Sequence, residues 1–401
     1  MLNRTFKAFQ HRDFRVMWIG ACTSSVGTWM QKLAQSWLVL DISHSPFLLG
    51  LDAFLGEIPI LLFSLVGGVI ADRIDRRKLL IASQVIQMTC AFTLAVLFGA
   101  HAVRVWHILT LSFFVGLAQA FGGPAYQALI PTLVGGEDLP NAIALNSIQF
   151  NLARIVGPVL GGLTLAKLGA AWCFGLNGAS FIAVIVSLAS IRIGFIPQPT
   201  RETLWESMKQ GIRFIRARSA MVSLIVLAFS MTLLAIPTVV FLPVFARDVF
   251  HKGSDTYTKL LSVFGVGSVC GALIVAGMGK RPRQGRDALL ILTGLGILIT
   301  GFALSRVPSV SYLLLFLAGA VLVAVFSLVS SLVQLITTDD MRGRVMSVYN
   351  VAFRGGMPIG NLVTGSLVPV FSAPAVLAVY GFLLALLALY FLLIHRRVAA
   401  L

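Results

Sequence analysis

The chain has 401 residues, of which 58% are hydrophobic and only 11% charged, and its formal net charge is +16. A soluble domain carries roughly 25% charged residues, and a water-soluble core cannot hide this much apolar surface without exposed patches that aggregate. The composition excludes a soluble protein and points to a polytopic membrane protein whose solvent is largely lipid.

The N-terminus, MLNRTFKAFQHRDFR, is basic and lacks the form of a signal peptide. The first apolar helix is therefore expected to remain as a span. A crossing helix needs about 20 apolar residues, and charges and turn residues divide the chain into twelve such runs. They are predicted at 14–41, 46–71, 78–100, 105–130, 141–168, 170–193, 219–246, 256–279, 288–305, 309–337, 344–371 and 373–395. The one long connection, 194–218, separates six spans from six. The expected plan is an N-terminal bundle (1–193), a linker (194–218) and a C-terminal bundle (219–401).

Loop charges orient the chain. With the N-terminus cytoplasmic, 22 of the 31 Lys and Arg fall in inside segments and 6 in outside segments, while Lys32, Arg154 and Arg354 lie within spans. Both termini are expected in the cytoplasm. The basic balance then faces the anionic inner leaflet, and no soluble basic face remains for a nucleic acid. Cys22, Cys90, Cys173 and Cys270 all sit in apolar runs without CxxC spacing, so they read as small interior residues. No metal or cofactor is expected. No nucleophile–base pair and no GxxxxGK[ST] loop occurs, which argues against an enzyme and against ATP coupling within this chain.

Ionisable groups within spans are costly and mark function by default. In the first span, Lys32 lies nine residues before Asp41. In the second, Glu57 lies eleven residues after Pro46. Both fall roughly 14–17 Å below the outer surface, which suggests a salt bridge. It reads equally as a static tie or as a proton switch in which Glu57 releases Lys32. Asp52, about 140° around the helix from Glu57, and Asp41 are secondary proton-coupling candidates. Polar and aromatic residues able to line a substrate cavity are Gln31, Gln35 and Trp37 on the first span, Gln119 and Tyr126 on the fourth, and Asn146, Gln149 and Asn151 on the fifth. Phe229, Met231, Tyr349 and Asn350 are their counterparts in the second half.

The two halves repeat. Arg154 and Arg354, Pro158 and Pro358, and Ser147 and Ser347 are each 200 residues apart, on the fifth span of each half. Paired midplane arginines fit either a clamp on an anionic substrate or ties to helix-end carbonyls. Two duplicated halves fit a transporter that alternates access about a central site. In the linker, Leu204, Trp205, Met208, Ile212 and Ile215 share a helical face away from Lys209, Arg213 and Arg216, as in a helix lying on the inner membrane surface.

After the second span the chain reads Gly68-Val-Ile-Ala-Asp72-Arg73-Ile-Asp75-Arg76-Arg77-Lys78. This resembles the G-x-x-x-D-R-x-G-R-R signature of the major facilitator superfamily, with Asp75 where Gly is usual. The resemblance covers nearly the whole chain and is narrowest with the bacterial enterobactin-exporter-like branch, the transmembrane secretion effectors. It implies an all-α fold of twelve spans in two pseudo-symmetric six-helix bundles. It also implies a conformational latch formed by Gly68, Asp72, Arg73, Arg76 and Arg77, with Asp72 capping a neighbouring helix and the arginines bridging acidic groups on facing loops. The fifth span's Gly157-Pro158-Val-Leu-Gly161-Gly162 is similar to the antiporter motif of that superfamily, with Ala144 and Ala153 in place of its earlier glycines. The fourth-span Arg of many antiporters is absent from Ser112–Gln119.

The expectation is export of amphipathic small molecules, drug-like compounds or siderophores, by proton-coupled antiport, by a monomer embedded in the lipid of a bacterial inner membrane. The alternatives on the same fold are a lipid or lysolipid transporter and an importer or facilitator of a small polar solute. A membrane enzyme or a receptor is the reading from other classes.

Overall fold

The computed structural model describes residues 6–191, 204–277 and 283–401, and their regular structure is entirely helical. The predicted bundle boundary at 193 and the basic residues Arg4, Arg192, Arg201, Lys280 and Arg281 lie outside the described residues. After a 3-10 turn, Lys7–Gln10, come α1 (Arg12–Ser43), α2 (Pro46–Arg73) and α3 (Arg76–Gly99). A 63-residue run, Val105–Lys167, breaks at Gly135, where φ is 67°. That left-handed conformation is open to glycine without a Cβ penalty, and it divides the run into α4 (105–134) and α5 (136–167). Next are α6 (Ala170–Ser190), α7 (Leu204–Arg216), α8 (Ser219–Val240), α9 (Ser254–Gly277), α10 (Gln284–Leu304), α11 (Pro308–Leu335), α12 (Arg342–Phe371) and α13 (Ala373–Leu393). Proline at or near the first turn of α2, α11 and α13 starts each where its missing N–H has no intrahelical partner to lose.

All twelve predicted spans are present, α7 being the linker helix. Among the described residues nine helices are long and apolar enough to cross a membrane, the continuous Val105–Lys167 run being one of them. The helices α1 and α12, which carry Lys32 and Arg354 in their middles, fall short of that apolarity.

The chain forms two compact units, one of Met1–His44 with Leu55–Arg201 and the other of Ser45–Phe54 with Glu202–Leu401. The first turns of α2 therefore belong with the second unit, where the sequence had placed them in the first. The physical cause is a close backbone approach: Gly50 lies against the Asn361 carbonyl and Gly365 of α12.

Within the first unit α1 packs on the α4–α5 run and on α6, and α3 packs on that run and on α6. Within the second, α8 packs on α12 and α13, α9 on α11, and α10 on α11 and α13. The repeat is visible in how the fifth span meets the first. Gly157 and Gly161 of α5 lie against Val26, Trp29 and Met30 of α1, while Gly356 and Gly360 of α12 lie against Phe229, Thr232 and Leu233 of α8. Small residues let these helices touch backbone to backbone, where lipid offers no hydrophobic drive for association. This packing pairs glycines 199 apart, one residue off the 200-residue match of the sequence. One residue turns a helix by about 100°, so Arg154 and Arg354 do not occupy equivalent faces.

The linker helix α7 seats Gly211 against the Arg344 carbonyl of α12 and buries Ile215. Lys209, Arg213 and Arg216 are exposed as expected, but Trp205 is 69% exposed and stands off the buried face.

A side chain at Gly157 meets backbone atoms of Val26 and Met30, which cannot swing away, whereas Gly68 has open space around it. Gly157→Leu is expected to lower stability by about 1–3 kcal/mol, the range for overpacked interiors, and Gly68→Ala to leave it nearly unchanged. Thermal unfolding of the two variants in detergent, beside the parent chain, checks this.

Candidate functional site

Interior polar groups in the first unit are joined into chains. Asn177 of α6 donates to Gln31 Oε1 of α1 at 2.6 Å, Gln31 to Gln35 Oε1 at 3.3 Å, and Gln35 to the Ser112 hydroxyl of α4 at 2.8 Å. A second set links three helices: the Tyr126 hydroxyl lies 2.8 Å from Asn146 Oδ1 and 3.2 Å from Gln149 Oε1. The Gln149 amide in turn donates to Ser25 Oγ at 2.7 Å and to the Ala21 carbonyl at 3.1 Å. A third joins Gln87 to Gln119 at 3.4 Å and to Ser83, whose hydroxyl donates to the Ala118 carbonyl. Each amide satisfied inside protein avoids the penalty of an unpaired polar group in an apolar medium. Gln31, Gln149 and Tyr126 therefore act first as keys between helices. Gln119, exposed, and Asn146, half-buried, keep surface available. Asn151 donates back to the Ser147 carbonyl. Asn177, Ser112, Ser25, Ser83 and Gln87 were absent from the predicted set. Their one sequence signal is an amide or hydroxyl within an apolar run.

The expected Lys32–Glu57 bridge is not formed. Among the described residues no ion pair joins them. Lys32 is exposed and its ammonium sits 5.3 Å from the centre of the Trp29 ring. Arg154 reaches the same ring, its guanidinium carbon 5.5 Å from the centre. Residues 29 and 32 are three apart on α1 and so share a face. Phe150, four residues before Arg154 on α5, meets Trp29 edge-on with centroids 6.3 Å apart. The result is an indole flanked by two cations with no carboxylate in ion-pairing distance among the described residues. Cation–π contact compensates part of the charge and leaves the spot net positive.

The other candidates divide by unit. Glu57 is half-buried and Asp41 exposed, both in the first unit. Asp52 is 7% exposed and belongs to the second. Arg354 is exposed on α12, so the two arginines do not form a symmetric pair with equal surroundings. Tyr349 is buried and stacks on Phe353, with centroids 5.9 Å apart, while Asn350 is exposed. Trp37 and Phe229 are half-buried and Met231 is buried.

The segment after α2 also differs from expectation. Asp75, not Asp72, caps a helix: its carboxylate accepts from the backbone of Arg77 at 3.0 Å and of Lys78 at 3.4 Å at the start of α3. Asp72 pairs with Arg76 at 3.2 Å. Beyond that pair, the arginines turn to carbonyls rather than to acidic groups on facing loops. Arg76 donates to the Ala71 and Ala128 carbonyls, and Arg77 donates to the Ala189 carbonyl at 2.6 Å. Helix C-termini offer unsatisfied carbonyls and partial negative charge, which guanidinium groups suit. Arg73 is exposed. The close approach of α2 to α4 falls at Gly67, against the Ala120 carbonyl, and not at the half-buried Gly68. In the fifth-span motif Gly157, Pro158 and Gly161 are buried and Gly162 is half-buried on the adjoining face.

A family model described as transmembrane secretion effector matches residues 3–400. The chain belongs to the transmembrane secretion effectors of the major facilitator superfamily. It is 28% identical to the enterobactin exporter EntS of Salmonella choleraesuis (strain SC-B67) over 389 residues, covering 96% of this chain and 92% of that protein. It is also 28% identical to the enterobactin exporter EntS of Escherichia coli O1:K1 / APEC over 397 residues, with the same coverage. Among solved structures it resembles a POT family transporter in complex with 5-aminolevulinic acid, with TM-score 0.76, 11% identity, and 96% of each chain covered. It also resembles the nucleoside transporter NupG, with TM-score 0.73, 15% identity, 95% of this chain and 98% of that chain. At those identities the structures show the fold alone. The family and the curated relatives are transporters, and this secretion effector is a multi-pass membrane protein with a small-molecule substrate.

One further feature fastens the basic end of the effector's first unit. Asp138, just before the start of the fifth predicted span, accepts from Lys7 at 2.8 Å and His11 at 2.9 Å. The Ala8 amide donates to Asn141 Oδ1 at 2.8 Å, and Trp18 Nε1 donates to the Leu145 carbonyl at 2.9 Å. Phe9 stacks on Phe6 and meets Trp18 edge-on. These contacts clip the N-terminal segment to α5. The hydrogen bond from Lys7, then that from His11, holds the Asp138 carboxyl below its ordinary value, and the Asp138 bond holds Lys7 above its own. A depressed carboxyl contributes above its unfolded value and is lost as pH falls through the folded one. A raised lysine contributes below its unfolded value and is lost as pH rises through the folded one. The clip is therefore expected to hold across the neutral range and to open in acid. Hydrogen exchange at the Ala8 amide reads this: it should quicken as pH drops through the acid range, after correction for intrinsic exchange, and Asp138→Asn should already show the fast rate at pH 7.

Proposed function

We propose that this protein is a secondary active exporter of anionic, aromatic siderophores of the catecholate class. It works by alternating access of its two six-helix halves and is driven by inward proton flow. The observation that carries the reading is the Trp29 site: an indole face for aromatic rings, flanked by Lys32 and Arg154 without a counter-ion among the described residues. A catecholate supplies both what stacks on Trp29 and what neutralises the two cations. The names of the enterobactin exporters support the same class.

Two duplicated halves with like glycine contacts support rocking about a common site. The bundle boundaries at 193 and 218 and a monomeric state complete this reading. The loop bias of 22 against 6 basic residues supports both termini in the cytoplasm and insertion in the inner membrane. Glu57 is the proposed proton site, being a half-buried carboxyl within a span with no ion-pair partner among the described residues. Protonation there removes a charge from the membrane interior. Lys32 serves substrate rather than Glu57, and Arg354 and Asn350 offer exposed polar groups on the second half.

Everted vesicles test the proposal. Uptake of a catecholate siderophore is expected with a proton gradient and not after a protonophore. Arg154→Ala and Lys32→Ala should each weaken it about tenfold, as for one lost charged contact. Glu57→Gln should leave a residual flux that no longer responds to the gradient. If the wild-type chain moves no catecholate, or if the substitutions at Trp29's two cations leave uptake unchanged, the reading fails.

A further inference from the structure

The second unit contains a polar recess at the basic end of α11. Its volume is about 430 Å³, and it is lined by Ser327, Ser330, Ser331, Gln334 and Leu335 of α11 and by Arg342 at the start of α12. The spacing of the α11 residues, three, four and seven apart, puts them on one helix face. Farther from that end, the same exposed side of α11 shows Val310, Leu313 and Leu317, at 48%, 59% and 39% exposure. The side thus changes from aliphatic to hydroxyl and amide groups partway along. Ser327 to Gln334 extends about 10 Å along the axis, farther inward than a fringe at the helix end. Exposed hydroxyls and an amide at that depth are stable only against water or a polar ligand.

Two of the lining hydroxyls, those of Ser327 and Ser331, have no hydrogen bond among the described residues, and the other groups keep spare capacity. Gln334 Nε2 reaches Ser330 Oγ only at 3.5 Å. Ser330 also stands beside Tyr349. Arg342 meets Asp339 at 2.6 Å in an exposed pair, and a guanidinium has five N–H donors, which leaves others open. The amide ends of α12's first turn add positive potential. Hydroxyls, a carboxamide and a guanidinium facing one recess suit an oxygen-rich anion with hydroxyl groups of its own.

We infer that this recess is a reception subsite for the anionic oxygen groups of the exported molecule, separate from the Trp29 site. The inference rests on the export reading and adds the place where substrate first docks on the basic face. Hydroxyls and the Gln334 amide exchange hydrogen bonds with the ligand's oxygens, and Arg342 offsets its charge. A subsite of this kind sets how much substrate is captured at low concentration and leaves the maximal turnover to the rest of the transport cycle.

The test uses the full-length chain in everted vesicles, with a catecholate siderophore and an uncharged dye of similar size as probes. Ser327→Ala/Ser331→Ala and Arg342→Gln are each expected to raise the half-saturating catecholate concentration about tenfold, with little change in maximal rate and none for the dye. Ser331→Thr, which keeps the hydroxyl, should stay near the parent value. Unchanged half-saturation in a chain that still exports the catecholate overturns the subsite and leaves the export reading standing. A fall in maximal rate alone, or an equal shift for the dye, also overturns it by making the recess structural. If the parent chain exports no catecholate, the export reading falls and the subsite falls with it.

Discussion

A polar group in an apolar interior must be matched by another group, by water or by a ligand, because an unmatched one costs several kcal/mol or more. Most of this structure obeys that constraint visibly. Asn177, Gln31, Gln35 and Ser112 satisfy one another across three helices, and Gln149 satisfies itself on α1 and on Tyr126. At the ends of α2 and α6 Arg76 and Arg77 close the Ala71 and Ala189 carbonyls, and Asp75 closes open amides. Departures from matching then carry information. Lys32 and Arg154 share one indole and no carboxylate, which distinguishes that spot from the satisfied interior around it.

The same constraint separates packing residues from candidate binding residues. An amide such as Gln31, at 8% exposure and already bonded on two sides, holds α1 to α6 and has little left for a solute. Serines along the basic end of α11 face an open recess with few internal partners. Glycine contacts between α1 and α5, and between α8 and α12, let the two units be built alike. The polar content differs between them: the first unit holds the amide chains, while buried hydroxyls such as Thr232 and Ser268 in the second return to carbonyls of their own helices.

The signature after α2 shows how one substitution changes a local arrangement without disturbing the fold. Asp75 replaces the customary glycine and becomes the N-cap of α3, satisfying two amides that would otherwise face solvent. With that role filled, Asp72 is left to hold Arg76, whose guanidinium also reaches the end of α2 and the Ala128 carbonyl within α4. The cluster joins helix ends within the first unit through carbonyls.

Span number, alternation of basic and neutral loops, the linker helix and the duplicated plan were legible in the amino-acid sequence, because each depends on the length and apolarity of a run or on counts of Lys and Arg. The candidate charges were legible as residue types, since a rare charge in an apolar run is conspicuous. Their partners were not. Lys32 faces Trp29 rather than Glu57, the packing register of the repeat is 199 rather than 200, and the first turns of α2 join the second unit. Sequence spacing fixes depth along a helix to within a residue's rise of about 1.5 Å, but each residue also turns the side chain by about 100°. Only the tertiary packing, through the backbone contacts at Gly50, Gly157 and Gly356, decides which way each of those side chains points.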